Sequence, residues 1–123
     1  MNRDEVVELS QCDGHDIGAH SVRHVRLPVE GVEGQREEIE SSKASLEKLI
    51  DRAVKTFAYP FGAAEAVTAE AVQRAGYSAA VVCGDLPYSN QSTFAVPRLD
   101  PSARGSAPFD GWLSALLEPD NLR

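Results

Sequence analysis

All three histidines of the chain, His15, His20 and His24, fall within ten residues, in the run Gly14-His15-Asp16-Ile17-Gly18-Ala19-His20-Ser21-Val22-Arg23-His24. Imidazole is the commonest protein ligand for a transition metal, and two histidines four residues apart can converge on one ion if the segment turns as a helix. His20 and His24 have that spacing. Read alone, the pair fits equally a capped turn with one buried and one solvated imidazole. A second group lies at Tyr59-Pro60-Phe61-Gly62, where proline breaks a strand and glycine frees the backbone for a loop. Its two aromatic rings suit either a binding site or plain core packing.

The elements around these residues must carry them to one place. Asp16-Ile17-Gly18-Ala19 is short and small in side chain, the pattern of a buried strand that delivers His20 at its carboxyl end, where α/β proteins place their chemistry. Before it, Arg3 to Gln11 sets Val6, Val7 and Leu9 among acids, an amphipathic helix ending near Asp13-Gly14. After it, Arg26-Leu27-Pro28 makes a loop and a long helix runs from about Gln35 to about Ile50. Ile39, Leu46, Leu49 and Ile50 repeat there at helical spacing, while Arg36 with Glu40 and Lys43 with Glu47 form (i, i+4) pairs on a solvated face. Val54 to Tyr59 is β-branched and aromatic, the next strand.

A helix from about Ala66 to Ala75 should turn Val67, Ala71, Val72 and Ala75 inward, with Gly76 as its cap. Ser78 to Cys83 is a continuous apolar run, the mark of a strand covered on both faces. Asp85 to Thr93 reads as a long loop, and Phe94 to Leu99 as a last strand that Pro97 places at an edge. Pro108 to Leu117 ends the pattern with Phe109, Trp112, Leu113, Leu116 and Leu117 on one helical stripe. Strand, helix, strand, helix, strand is a parallel βαβ layout of the α/β class. If its strands are parallel, Tyr59 to Gly62 falls at the same rim as His20 and His24.

With 123 residues the chain is long enough for one domain and short for a complete barrel. Its 42% hydrophobic and 25% charged content is that of ordinary globular material. A net charge of -7 argues against nucleic acid or an anionic membrane as partner and favours neutral or cationic ligands. Neither a signal peptide nor a membrane-spanning run is legible, so the chain as it stands reads as cytoplasmic. Cys12 and Cys83 fit no disulfide framework and no C-x-x-C pattern, and read as reduced, partly buried thiols.

The run Gly14 to His24 resembles the G-H-E-I-G-x-H-S/T-x-x-H motif of the polysaccharide deacetylase family, also called the NodB-homology or carbohydrate esterase family 4 domain. Thr56-Phe57-Ala58-Tyr59-Pro60-Phe61-Gly62 resembles that family's F-A-Y-P-Y/F-G segment. Arg36 to Leu49 is similar to the helix that joins the two, and Ala75-Gly76-Tyr77 to the A-G-Y before the next strand. The likeness runs from about residue 5 to about residue 113. It implies a partial parallel (β/α) barrel that lacks its first strands, truncated at the amino end. It also implies hydrolysis of N-acetyl groups on an amino-sugar polymer or oligomer, with a divalent metal, usually zinc. By the same resemblance His20 and His24 match the two metal histidines. Phe61 matches the residue whose backbone amide faces the oxyanion, and Tyr59 and Gly62 shape that substrate-binding loop. His15 matches a position with no part in metal binding.

Two family motifs are missing. The T-F-D-D segment, source of the catalytic base and third metal ligand, does not occur, nor does the closing L-x-H-D. Asp16 shares a strand face with His20 but lies about 13 Å away along an extended chain, too far to share an ion. Asp100 could stand in only if the last strand brought it to the rim. Arg98, in Pro97-Arg98-Leu99-Asp100, resembles a P-R-I/L-x segment and would steady an active-site carboxylate or pair with a surface acid. A strand left without its neighbour exposes unpaired N–H and C=O groups, through which a second copy could pair. The alternatives to a deacetylase are a degenerate fragment that binds carbohydrate or a partner subunit without catalysis, and a related hydrolase of a small non-sugar amide.

Overall fold

The computed structural model describes residues 1–84 and 92–118. Helix α1 (Arg3–Gln11) starts at a reciprocal cap, in which Asn2 accepts from the Glu5 amide and the Glu5 carboxylate accepts from the Asn2 amide. Helix α2 (Val32–Ile50) begins three residues before the expected start and ends on Asp51, whose φ of 53° is left-handed. Helix α3 (Ala66–Arg74) follows strand β1 (Thr56–Ala58), and β2 (Ala79–Cys83) and β3 (Val96–Arg98) complete a sheet of order β1-β2-β3. Both pairings are parallel, so the βαβ layout is the one the sequence implies. The expected loop over Asp85 to Thr93 lies for the most part outside the described residues.

The core lies between the sheet and helices α2 and α3. Phe57 from β1 and Ala80 from β2, partners in register, meet Ile39, Val54, Val72 and Tyr77, all of them buried. The Tyr77 hydroxyl donates to the Ile39 carbonyl at 3.1 Å, which satisfies a polar group that burial would otherwise leave without water. Thr68, rather than Val67, faces inward from α3: its hydroxyl donates to Gln35 Oε1 at 2.8 Å, and Val67 is turned to the surface. One of the two predicted (i, i+4) pairs forms, Lys43 with Glu47, and it does more than face solvent. Lys43 Nζ donates to the Val54 carbonyl and Glu47 accepts from the Val54 amide, both at 2.9 Å, so the pair ties α2 to the entry of β1. Arg36 instead pairs with Glu33 at 2.7 Å.

Three expectations are corrected by the packing. Asp16 to Ala19 does not form a strand, since only Ala19 pairs, in one parallel bridge to Phe57. Asp16 faces outward toward Arg52, 4.0 Å away, and the chain at Gly18 lies so near Thr56 that a Cβ there would sit 2.7 Å from its Oγ1. Among the described residues strand β2 is covered on one face and not two, because the helices lie on the side of Phe57 and Ala80 while Val81 and Cys83 face the other way. Cys12 and Cys83 are free and exposed, not partly buried.

Helix α4 (Phe109–Leu116) carries the expected apolar stripe, yet none of its residues is buried, and Phe109 stays 50% exposed with its ring against Trp112. Among the described residues no helix is long and apolar enough to cross a membrane. The contrast between the two kinds of aromatic position is testable. Phe57→Ala should cost about 3–5 kcal/mol by leaving a core cavity, whereas Phe109→Ala should change stability by about 0.5 kcal/mol or less. Urea denaturation of the two variants beside the native chain measures both.

Candidate functional site

The bridge at Ala19 is what places the first histidine. Ala19 N–H donates to the Thr56 carbonyl at 2.9 Å, and its own carbonyl accepts from Ala58 N–H at 2.8 Å. The next residue, His20, therefore stands at the carboxyl end of β1, where its Nδ1 lies 2.8 Å from the Ala58 carbonyl oxygen. A carbonyl can only accept, so Nδ1 carries the proton and Nε2 keeps its lone pair for another partner.

His20 and His24 do meet, but not on a helix. Ser21 and His24 both adopt left-handed backbone, with φ of 62° and 56°, and the His24 amide donates to Ser21 Oγ at 3.0 Å across the turn. The two imidazole centroids come to 4.8 Å at a tilt of 57°. His24 in turn lies 4.7 Å from the ring of Phe61, and the Arg26 guanidinium sits over that same ring at 5.3 Å. Phe61 is itself left-handed at φ 59° and 57% exposed. Non-glycine residues in this conformation cost about 1–3 kcal/mol each and persist where the surroundings hold them. Three of the four such residues among the described ones are gathered here.

Glu38, on α2, holds the turn from beneath. Its side chain is 3% exposed, and one carboxylate oxygen accepts from the Val22 and Arg23 amides, each at 2.9 Å. The other oxygen accepts from Arg23 Nε at 2.5 Å. Burial alone would raise the Glu38 pKa and is the largest single influence. The hydrogen bonds from the Arg23 amide and guanidinium and from the Val22 amide together outweigh it and hold the carboxyl below its ordinary range. Residue type alone does not single out Glu38 among the acids of α2. Its signal was the inward stripe of α2, which Ile39, Leu46 and Leu49 define and on which Gln35, Glu38 and Ser42 also fall.

The Tyr59 to Gly62 turn leaves β1 at the same rim. The Tyr59 side chain is buried, not presented to a ligand: its hydroxyl donates to the Phe94 carbonyl at 2.9 Å, and burial pushes its pKa up to about 12. Its part is to anchor the turn. Gly62 has φ +63°, and a Cβ there would come within 2.8 Å of the Cys83 amide nitrogen at the end of β2. Only the Phe61 side chain of the three is turned outward beside the histidines.

On the sheet face away from the helices, Gly18, His20, Thr56, Ala58, Val81 and Arg98 line an open cavity of about 470 Å³. Arg98 thus shares a cavity wall with His20. Asp100 does not reach the histidines: its carboxylate accepts from the Ser102 amide at 2.8 Å and caps a short 3-10 turn, and the hydrogen bond with Ser102 lowers its pKa. His15 is exposed, with Nδ1 3.2 Å from the Asp13 carbonyl. Among the described residues no three His, Cys, Asp or Glu side chains come together as a metal-binding group. The donor set is a pair of imidazoles, one with its tautomer fixed, which suits a borderline ion such as zinc but supplies two of the three protein ligands usual at a catalytic site.

A parallel sheet with helices on one face thus carries both histidines at its carboxyl rim. The polysaccharide deacetylase family profile matches residues 1–80, and the chain belongs to that family. Its fold is similar to the Streptococcus pyogenes deacetylase PplD, solved in complex with acetate, with a TM-score of 0.84 at 21% identity over 97% of this chain. It is also similar to a polysaccharide deacetylase from Bacillus cereus, with a TM-score of 0.75 at 18% identity over 94% of this chain. The chain spans 51% of the first of these structures and 36% of the second. The fold is therefore the partial deacetylase-type barrel the motifs implied. No curated protein matches it in sequence.

Two outcomes follow from this geometry. Gly62→Ala must accommodate a Cβ against the Cys83 backbone as well as an unfavourable φ, and should lower stability by about 1–3 kcal/mol. A thermal melt measures this, and the His24 ring resonance should shift with the displaced Phe61. The second concerns acid. The folded Glu38 releases its proton more readily than the unfolded one, whose ordinary pKa is 4.5, so its contribution is complete above that value and fades as the pH falls through the depressed one. Melts taken from about pH 6 down to about pH 3 should show the native chain losing more stability than Glu38→Gln does.

Proposed function

We propose that this chain carries the two metal-ligating histidines and the oxyanion turn of a deacetylase that hydrolyses N-acetyl groups of amino-sugar polymers or oligomers. The observation that supports the reading is the meeting of His20 and His24, with rings 4.8 Å apart, directly beside Phe61. On this reading His20 and His24 hold a divalent cation, zinc by preference. When held there, such an ion would supply Lewis acidity for amide hydrolysis. The Ala58 carbonyl, by holding the proton on His20 Nδ1, keeps Nε2 free to ligate. Phe61 offers its backbone N–H to the oxyanion, as the family resemblance implies. Water and the N-acetyl amide become acetate and a free amine. The acetate found in the PplD structure is the acyl product such a reaction releases.

On this reading the base and the third ligand are two carboxylates, the pair that the family's T-F-D-D motif supplies, brought by a segment joined to this chain or by a partner. A second reading, a carbohydrate- or subunit-binding unit without catalysis, draws support from the incomplete donor set. Zinc content and acetate release from chitin oligomers separate the two. The deacetylase reading expects one zinc per chain in the native protein, lost in His20→Ala and in His24→Ala, together with turnover. Metal-free protein without turnover overturns it and leaves the binding unit.

A further inference from the structure

We infer that Glu38 is the positioning residue of the histidine pair: its buried carboxylate fixes the turn between His20 and His24 and so sets the distance between the two imidazoles. The inference deepens the proposed function and rests on it only for the identity of the ion. Its grounds are geometric. Among the described residues no backbone hydrogen bond joins residues 20–24 to the sheet after the bridge at Ala19, so pairing with β1 does not dictate where His24 goes. The residues in between, Val22 and Arg23, present consecutive amides to one oxygen of Glu38, and the Arg23 side chain closes on the other. Both amides thus end on a single anchor in the long helix α2, while across the turn itself the His24 amide bonds Ser21 Oγ and the two rings touch. Val22 and Arg23 are exposed, so water can take over their amides when the carboxylate is removed. The fold then survives and the turn loses its register, which is the signature of positioning and not of core packing.

Three forms of the full chain make the test: native, Glu38→Ala and Glu38→Gln. A control, Thr68→Val, breaks the buried bond to Gln35 on the same helix pair without touching the turn. Imidazole resonances are recorded on metal-free protein, and zinc chloride is then titrated calorimetrically. Positioning expects the His20 and His24 resonances to move in Glu38→Ala and zinc affinity to fall roughly 10- to 100-fold. Glu38→Gln, which keeps an acceptor oxygen but loses the charge, falls between, and Thr68→Val stays at the native affinity. Native affinity and native resonances in Glu38→Ala overturn the inference, as does an equal loss in Thr68→Val. If Glu38→Ala does not fold, Glu38→Gln decides by the same criteria. If the native chain takes up no zinc, the proposed function fails separately. The resonances then decide: shifts of both rings in Glu38→Ala sustain the positioning role, and unchanged spectra end it.

Discussion

Parallel pairing is the constraint on which this molecule depends. Strands β1, β2 and β3 all run the same way, and Ala19 joins them in the same sense through two hydrogen bonds to Thr56 and Ala58. Each segment therefore leaves the sheet at one common rim: His20 after the bridge, Tyr59 to Gly62 after β1, Gly84 after β2 and Leu99 after β3. No side chain has to travel far to meet another. The chemistry at this rim is a consequence of strand direction before it is a consequence of any single residue.

Within that frame the core and the site divide the same short segments between them. Along β1 the register sends Phe57 into the helices and leaves Thr56 and Ala58 on the open face, and the neighbouring pair Gly18 and His20 alternates about Ala19 in the same way. In the turn after β1, Tyr59 is buried and bonded to Phe94 while Phe61, two residues on, stands against His24. The strand period of two buries Phe57 and Tyr59 together, and the 3-10 turn at Pro60–Gly62, with Phe61 left-handed, breaks that alternation and turns Phe61 outward. The strain of the left-handed Phe61 is held by the anchored Tyr59 on one side and by Gly62 tight against Cys83 on the other.

The molecule is unevenly covered. Helices α2 and α3 close one face of the sheet, and the other face is an open cavity with small side chains and Arg98 at its margin. The apolar stripe of α4 is exposed as well. The chain spans about half the length of a structurally similar deacetylase.

Local order was legible from residue types alone. The apolar spacing of α2, the cap at Gly76 and the alternation of strand and helix follow from periodicity and turn chemistry, and a short motif marks His20 and His24, because these are properties of neighbours along the chain. What neighbours along the chain do not determine is which polar residue is buried. Glu38 and Glu40 are alike as letters, yet packing places one beneath Val22 and Arg23 and the other in solvent. Likewise Asp100 caps its own turn, Thr68 displaces Val67 from the interior, and Asp16 to Ala19 yields one bridge where a strand was expected. The Asp100 cap is local, but the others depend on groups many residues apart coming within 3 Å or so of each other, a distance fixed only once the helices have docked on the sheet.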